Sequence, residues 1–137
     1  MHEQANARFW SIVHVSRAAR INPGGSLTLV TGSATLRPPK GIAVLSAIGA
    51  AVNALCRGLA LEMAPVRVNT VIPGPADTPL WDAAAGDQKP ARLEAIGKTL
   101  PLGRVGTADD VAAQIVACMT NPFMTGSLIV IDGGASI

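Results

Sequence analysis

The chain has 137 residues, enough for one hydrophobic core and too few for two full-sized domains. Hydrophobic residues make up 49% and charged ones 15%, which excludes a chain too polar to collapse. Lys and Arg number 11 against 9 Asp and Glu, a formal charge of +2, and the arginines are scattered rather than gathered in a basic stripe, so no nucleic-acid partner is expected. Tyrosine is absent, which removes the phenol from any proton-transfer mechanism.

The first pattern along the chain is an amphipathic helix from about Glu3 to Arg20, with Phe9, Ile12, Val13 and Ser16 on one face. Asn22-Pro23-Gly24-Gly25 is a turn, and Ser26 to Thr31 is a short, partly β-branched run that reads as a strand. Pro38, Pro39 and Gly41 mark a loop. Small or apolar residues then fill nearly every position from Ala43 to Met63 until Arg57 and Glu62, predicting a helix buried on more than one face. The uncharged run inside it, Gly41 to Cys56, is shorter than the roughly 18 apolar residues of a membrane span, so no membrane is expected.

Pro65 ends that helix, and Val66 to Ile72 form a second strand stopped by Pro73-Gly74. Pro75 to Gly106 is an excursion rich in Pro, Gly and Asp, with one helix near Ala91 to Leu100. Thr107, followed three residues later by Asp110, makes an approximate capping box for a helix through Thr120, the Asp110 carboxylate suiting the positive end of the helix dipole. Ser127 to Ile131 is the last strand, closed by Asp132-Gly133-Gly134. All three strands are continuous apolar or β-branched runs, as expected of strands covered on both faces of a parallel sheet built from βαβ units.

Cys56 and Cys118 sit in apolar helical patterns with no CxxC, and only His2 and His14 could join them as ligands, so buried free thiols are the reading and no metal site is expected. The N-terminal Met1-His2-Glu3-Gln4 has no apolar signal core. Together these features lead to the expectation of a soluble protein of a reducing compartment, the cytoplasm.

GGSLTLVTGSA, a small-residue helix, VRVNTVIPGPADTPLW, GRVGTADDVA and TGSLIVIDGG follow one another in this order. The series resembles the C-terminal half of the short-chain dehydrogenase/reductase family over nearly the whole chain. The resemblance implies an α/β fold in which residues 1–137 form the C-terminal half of an NAD(P)-binding domain. That half is a partial Rossmann-like, doubly wound parallel sheet of three strands with flanking helices. It also implies NAD or NADP as cofactor, with the loop of Pro73, Gly74, Ala76 and Thr78 against the nicotinamide. Ligands bind beyond the carboxyl ends of strands in such sheets, and this loop follows one.

The departures from the family are as specific as the match. No GxGxxG turn between a strand and a helix is present to take the phosphates. Where the family carries tyrosine, lysine and serine, this sequence has Leu45, Gly49 and Gly32, with Ser33 offset by one. Asn6 falls at the family's asparagine, against the plainer reading of a helix-surface residue. Lys40, Asp77 and Asp82 read as solvated, Ser33 as a strand-end partner, and His14 as structural. In family order the strand at Leu27 to Val30 has lost a neighbour and presents an open edge. Two functions stay open: a short-chain dehydrogenase/reductase-like oxidoreductase transferring hydride between NAD(P) and a small alcohol or carbonyl substrate, or an inactive remnant serving oligomerisation or small-molecule binding. A homo-oligomer through the helix Ala43 to Met63 is implied in either case.

Overall fold

The computed structural model describes residues 6–137. A π-helical turn (Asn6–Trp10) runs into α1 (Ser11–Ala18), followed by β1 (Ser26–Val30), a 3-10 turn (Ser33–Thr35), α2 (Ala43–Glu62) and β2 (Arg67–Pro73). The excursion holds β3 (Ala76–Asp77), α3 (Leu80–Ala85), a 3-10 turn (Gly86–Gln88), α4 (Lys89–Gly97) and β4 (Gly106–Thr107). Helix α5 (Ala108–Thr120) and β5 (Leu128–Ile131) complete the fold.

The three expected strands form a parallel sheet in the order β1-β2-β5, with Ser26 opposite Arg67 and Thr70 opposite Leu128. β3 and β4 make a separate two-stranded parallel pair, each strand too short for its residues to show a strand pattern. Val68, Asn69, Thr70, Val71 and Ile72 are all buried, so β2 is covered on both faces. The expectation of cover on both faces fails for its neighbours, since their faces are only partly covered among the described residues: Val30 is 45% and Val130 42% exposed. Among the described residues no strand pairs with the outer edge of β1. Bonds from Arg67 N–H to Gly25 O and from Thr31 N–H to Val71 O fix the ladder, so the backbone groups of Ser26, Thr28 and Val30 face away from β2.

The core joins Leu29 and Val68 of the sheet to Val52, Cys56, Leu59 and Ala60 of α2, with Phe9 and Ile12 packed against it. α2 is long and apolar enough to cross a membrane by length and composition alone, with a mean hydropathy of 1.7. It instead lays one face on the sheet, as the core helix of a non-membrane fold. Burial on more than one face does not hold: Ala47, Ala50, Ala51 and Ala54 stay exposed, since nothing among the described residues covers that side.

Arg67 and Asn69 tie the end of α5 to the sheet. Arg67 donates to the carbonyls of Cys118 and Met119, each at 2.7 Å, satisfying acceptors left free at the helix C-terminus. Asn69 is wholly buried, donates to Met124 O at 2.8 Å and accepts from Ser127 N–H at 3.1 Å. These bonds set where β5 begins and hence where Asp132 meets the loop after β2.

Candidate functional site

The four residues expected to bind cofactor come together. Pro73, Gly74, Ala76 and Thr78 line one cavity of about 550 Å³ at the carboxyl end of β2, walled also by Trp81 and by Ile115 of α5. Gly74 is required by backbone approach: a Cβ there would lie 2.6 Å from both Cα and O of Asp132. Its N–H bonds to Ile131 O at 3.1 Å, which seats the loop on the end of β5. Asp132 is in turn fixed by Gly134 N–H and Ser136 N–H, each at 2.9 Å. Burial pushes its carboxyl up, but the Ser136 hydroxyl and the backbone N–H groups outweigh this and hold it below its ordinary value.

The loop carrying Thr78 is clamped. Lys89 reaches Asp77 at 2.8 Å and Asp82 at 2.7 Å, tying β3 and α3 to the start of α4. Asp77 and Asp82 are therefore paired rather than simply solvated, although their side chains stay 51% and 62% exposed. Hydrogen bonds to Asp77 first and Asp82 next raise the Lys89 pKa. Helix α3 escaped the sequence reading; its signal is Thr78-Pro79 ahead of Leu80-Trp81-Asp82, a proline immediately before the first helical turn.

The capping box at α5 is complete, with Asp110 N–H donating to Thr107 Oγ1 at 3.1 Å and Thr107 N–H to Asp110 at 2.8 Å. Arg104, 2.8 Å from Asp110, together with the Thr107 bonds holds that carboxyl well below the usual range. An N-terminus already filled by its own cap and carrying Asp109 and Asp110 is closed to phosphate. The N-terminus of α5 is therefore no phosphate site, while the loop from Pro73 to Thr78 lines a cavity that can take a ligand.

A second cavity, of about 310 Å³, gathers the positions where the resemblance expects catalytic side chains: Gly32, Leu45 and Gly49 all line it. It shares Val30, Thr31 and Gly32 with the first cavity. Space near Gly49 is taken by Thr35, whose methyl carbon would be 2.5 Å from a Cβ there. Thr31 donates to Asn53 Oδ1 at 2.9 Å, Asn53 donates to Thr35 Oγ1 at 3.0 Å, and Thr35 donates to Gly32 O at 2.8 Å. Asn53, Thr35 and Ser46 were not legible as site residues, because nothing in helical or strand periodicity links them.

The remaining candidates lie elsewhere. Ser33 contributes its carbonyl to a turn, accepting from Leu36 and Arg37 N–H, and neither it nor the exposed Lys40 lines a cavity described above. His14 is exposed beside the Trp10 ring, their centroids 6.4 Å apart. The Asn6 side chain lies outside the described residues. Cys56 and Cys118 are buried free thiols, and burial pushes the Cys56 thiol up. Among the described residues no group of three or more His, Cys, Asp or Glu could hold a metal.

Comparison with known proteins fits this geometry. The profile of the enoyl-(acyl carrier protein) reductase family matches residues 1–136. The short-chain dehydrogenase/reductase ucsE of an Acremonium species is 31% identical over 124 residues, covering 90% of this chain and 47% of that protein. A small-chain dehydrogenase crystallised with NADPH superposes with a TM-score of 0.87 at 34% identity, over 99% of this chain and 65% of that one. A short-chain oxidoreductase of Pseudomonas aeruginosa PAO1, containing an atypical catalytic center, superposes with a TM-score of 0.83 at 27% identity, over 98% of this chain and 58% of that one. The parallel sheet with its flanking helices defines a Rossmann-like α/β fold. The chain belongs to the short-chain dehydrogenase/reductase family, and it spans about half the length of the curated relatives it matches.

Proposed function

We propose that this chain supplies the nicotinamide and substrate half of an NAD(P)-dependent oxidoreductase acting on a small alcohol or carbonyl compound. The observation that carries this reading is the convergence of Pro73, Gly74, Ala76 and Thr78 on one cavity that shares Val30 to Gly32 with a second. NAD or NADP, when bound, supplies hydride chemistry. The chain's part is to hold the carboxamide end with loop backbone groups and the Thr78 hydroxyl, while Trp81 and Ile115 keep water from the wall opposite. The family's tyrosine-to-lysine proton path does not operate, since Leu45 and Gly49 carry no titratable group. Calorimetric titration with NADH and NADPH tests the reading. Saturable binding, weakened about 5- to 10-fold by Thr78→Ala for the loss of one hydrogen bond, is expected. Heatless titrations with both nucleotides would overturn it.

A second reading is favoured by the same wall: with Gly32, Leu45 and Gly49 together, the chain serves as a non-catalytic assembly module of the cytoplasm. The exposed stripe Ala47, Ala50, Ala51 and Ala54 on α2, with Leu61 84% exposed farther along, supports a homo-oligomer through the helix Ala43 to Met63. Sedimentation at micromolar concentration, with Ala51→Arg as the disrupting variant, decides it; a parent that sediments as a monomer removes the interface.

A further inference from the structure

The wall of the larger cavity that carries Thr78 and Trp81 is held in place by charge rather than by packing. Thr78 precedes α3 and Trp81 lies on it, yet α3 has no buried residue, and Leu80 at its start is 71% exposed. Among the described residues, the only side-chain hydrogen bond from α3 to another element is the one Asp82 accepts from Lys89. Helix α4, from which Lys89 comes, is by contrast fixed to the body of the fold: Leu93 is buried, and a Cβ on Gly97 would lie 3.1 Å from Arg104 Cα. Lys89 therefore spans from an anchored helix to an unanchored one, its side chain 22% exposed between Asp77 and Asp82. The short connections on either side of α3 are Thr78-Pro79, which leads from β3, and the turn that begins at Gly86, whose φ is +51°. A six-residue helix between two such connections, with no buried face, is a segment of low local stability.

We propose that Lys89 is a positioning residue: by bridging Asp77 and Asp82 it latches α3 against the cavity and so sets the place of Thr78 and Trp81 in the wall. Both carboxylates are needed, because Asp77 holds the ammonium to β3, which is paired with β4, while Asp82 holds it to α3. The latch is ionic and exposed, so it is weak and is screened by salt. Breaking it frees α3 and leaves the three-stranded sheet intact, since neither Lys89 nor its partners belong to that sheet or its core. The inference rests on the oxidoreductase reading only in calling the occupant of this cavity a nicotinamide; the latch itself needs no ligand.

Amide hydrogen exchange of residues 80–86 in the whole chain, followed by mass spectrometry, tests this, because so short a helix released from the wall does not keep its hydrogen bonds. Lys89→Met keeps the aliphatic stem and removes the charge; exchange in 80–86 is expected to rise about 5-fold, the worth of two exposed ion pairs, with β2 unchanged. Lys89→Arg is expected to hold the parent rate. Asp77→Asn with Asp82→Asn should match Lys89→Met, and combining all three should add nothing further. Raising NaCl from about 0.01 M to about 1 M shortens the screening length from about 30 Å to about 3 Å, and should speed exchange in the parent and not in Lys89→Met. With Trp10→Phe leaving Trp81 as the one tryptophan, acrylamide quenching of its fluorescence should follow the same order. Equal exchange in the parent and Lys89→Met, a parent indifferent to salt, no rescue by Lys89→Arg, or a rise shared by β2 would each overturn the proposal. A working latch with no NAD(P)H binding would sink the oxidoreductase reading alone; NAD(P)H binding by a chain whose α3 exchange ignores Lys89 would sink this one alone.

Discussion

Gly49→Ala is normally a stabilising change in a helix, by about 1 kcal/mol. Here the added Cβ would stand 2.5 Å from the Thr35 methyl carbon. Thr35 cannot swing that methyl aside freely, because its hydroxyl donates to Gly32 O at 2.8 Å and accepts from Asn53 at 3.0 Å. Giving up both bonds costs about 2 kcal/mol at about 1 each, and accepting the overlap costs a similar amount as overpacking, about 1–3 kcal/mol. The net expectation is a loss of about 1 kcal/mol, or a melting temperature lower by about 4 °C. Thr35→Ser removes the offending methyl and keeps the hydroxyl, so in that background Gly49→Ala should stabilise by about 1 kcal/mol. The double-mutant cycle then yields a coupling of about 2 kcal/mol. Urea unfolding of the four proteins measures it. Additive effects, or a stabilised Gly49→Ala with Thr35 in place, would refute the reasoning.

Asn69→Ala should cost about 2–3 kcal/mol in urea unfolding, since it leaves the Ser127 N–H without a partner and Met124 O with only the 3.3 Å bond from Arg67, next to a fully buried site. Thr107→Ala removes the α5 cap and should cost about 1 kcal/mol. Asp132 has a folded pKa below its unfolded value, so its contribution is present above about pH 4 and is lost as pH falls through the folded value. Asp132→Asn should therefore lower stability near neutrality and flatten the acid side of the stability profile, and an unchanged acid slope would count against the hydrogen bonds assigned to it.

Features set by local chemistry were legible in the sequence. Val66 to Ile72 reads as a strand because β-branched residues dominate it, and Pro73-Gly74 stops it where the ladder ends. Thr107 and Asp110 announce α5 because the capping box lies within one turn. The Pro73 to Thr78 loop was found through a motif whose glycine the structure explains by its contact with Asp132. What escaped depends on partners distant in sequence. Asp77 and Asp82 look like solvated acids until the fold brings Lys89 to both. The exposure of α2's alanine stripe could not be read from composition, because small apolar residues suit a buried helix face and a bare one equally.

The same distance effect explains why the altered positions belong together. Gly49 admits no side chain while the Thr35 methyl is in place, and Thr35 is held by the carbonyl of Gly32. Introducing lysine alone, Gly49→Lys, should therefore destabilise the fold as Gly49→Ala does. Leu45→Tyr alone brings a phenol with no cation one helical turn away on α2, so its pKa should stay at about 10 or rise with burial. Only the combination Leu45→Tyr, Gly49→Lys and Thr35→Ser places an ammonium one helical turn from the phenol with room for its stem. Spectrophotometric titration of the phenol should then show a pKa below about 10 in the triple variant and not in Leu45→Tyr. A lowered value in Leu45→Tyr/Gly49→Lys with Thr35 unchanged, at undiminished stability, would show that Thr35 does not close this position.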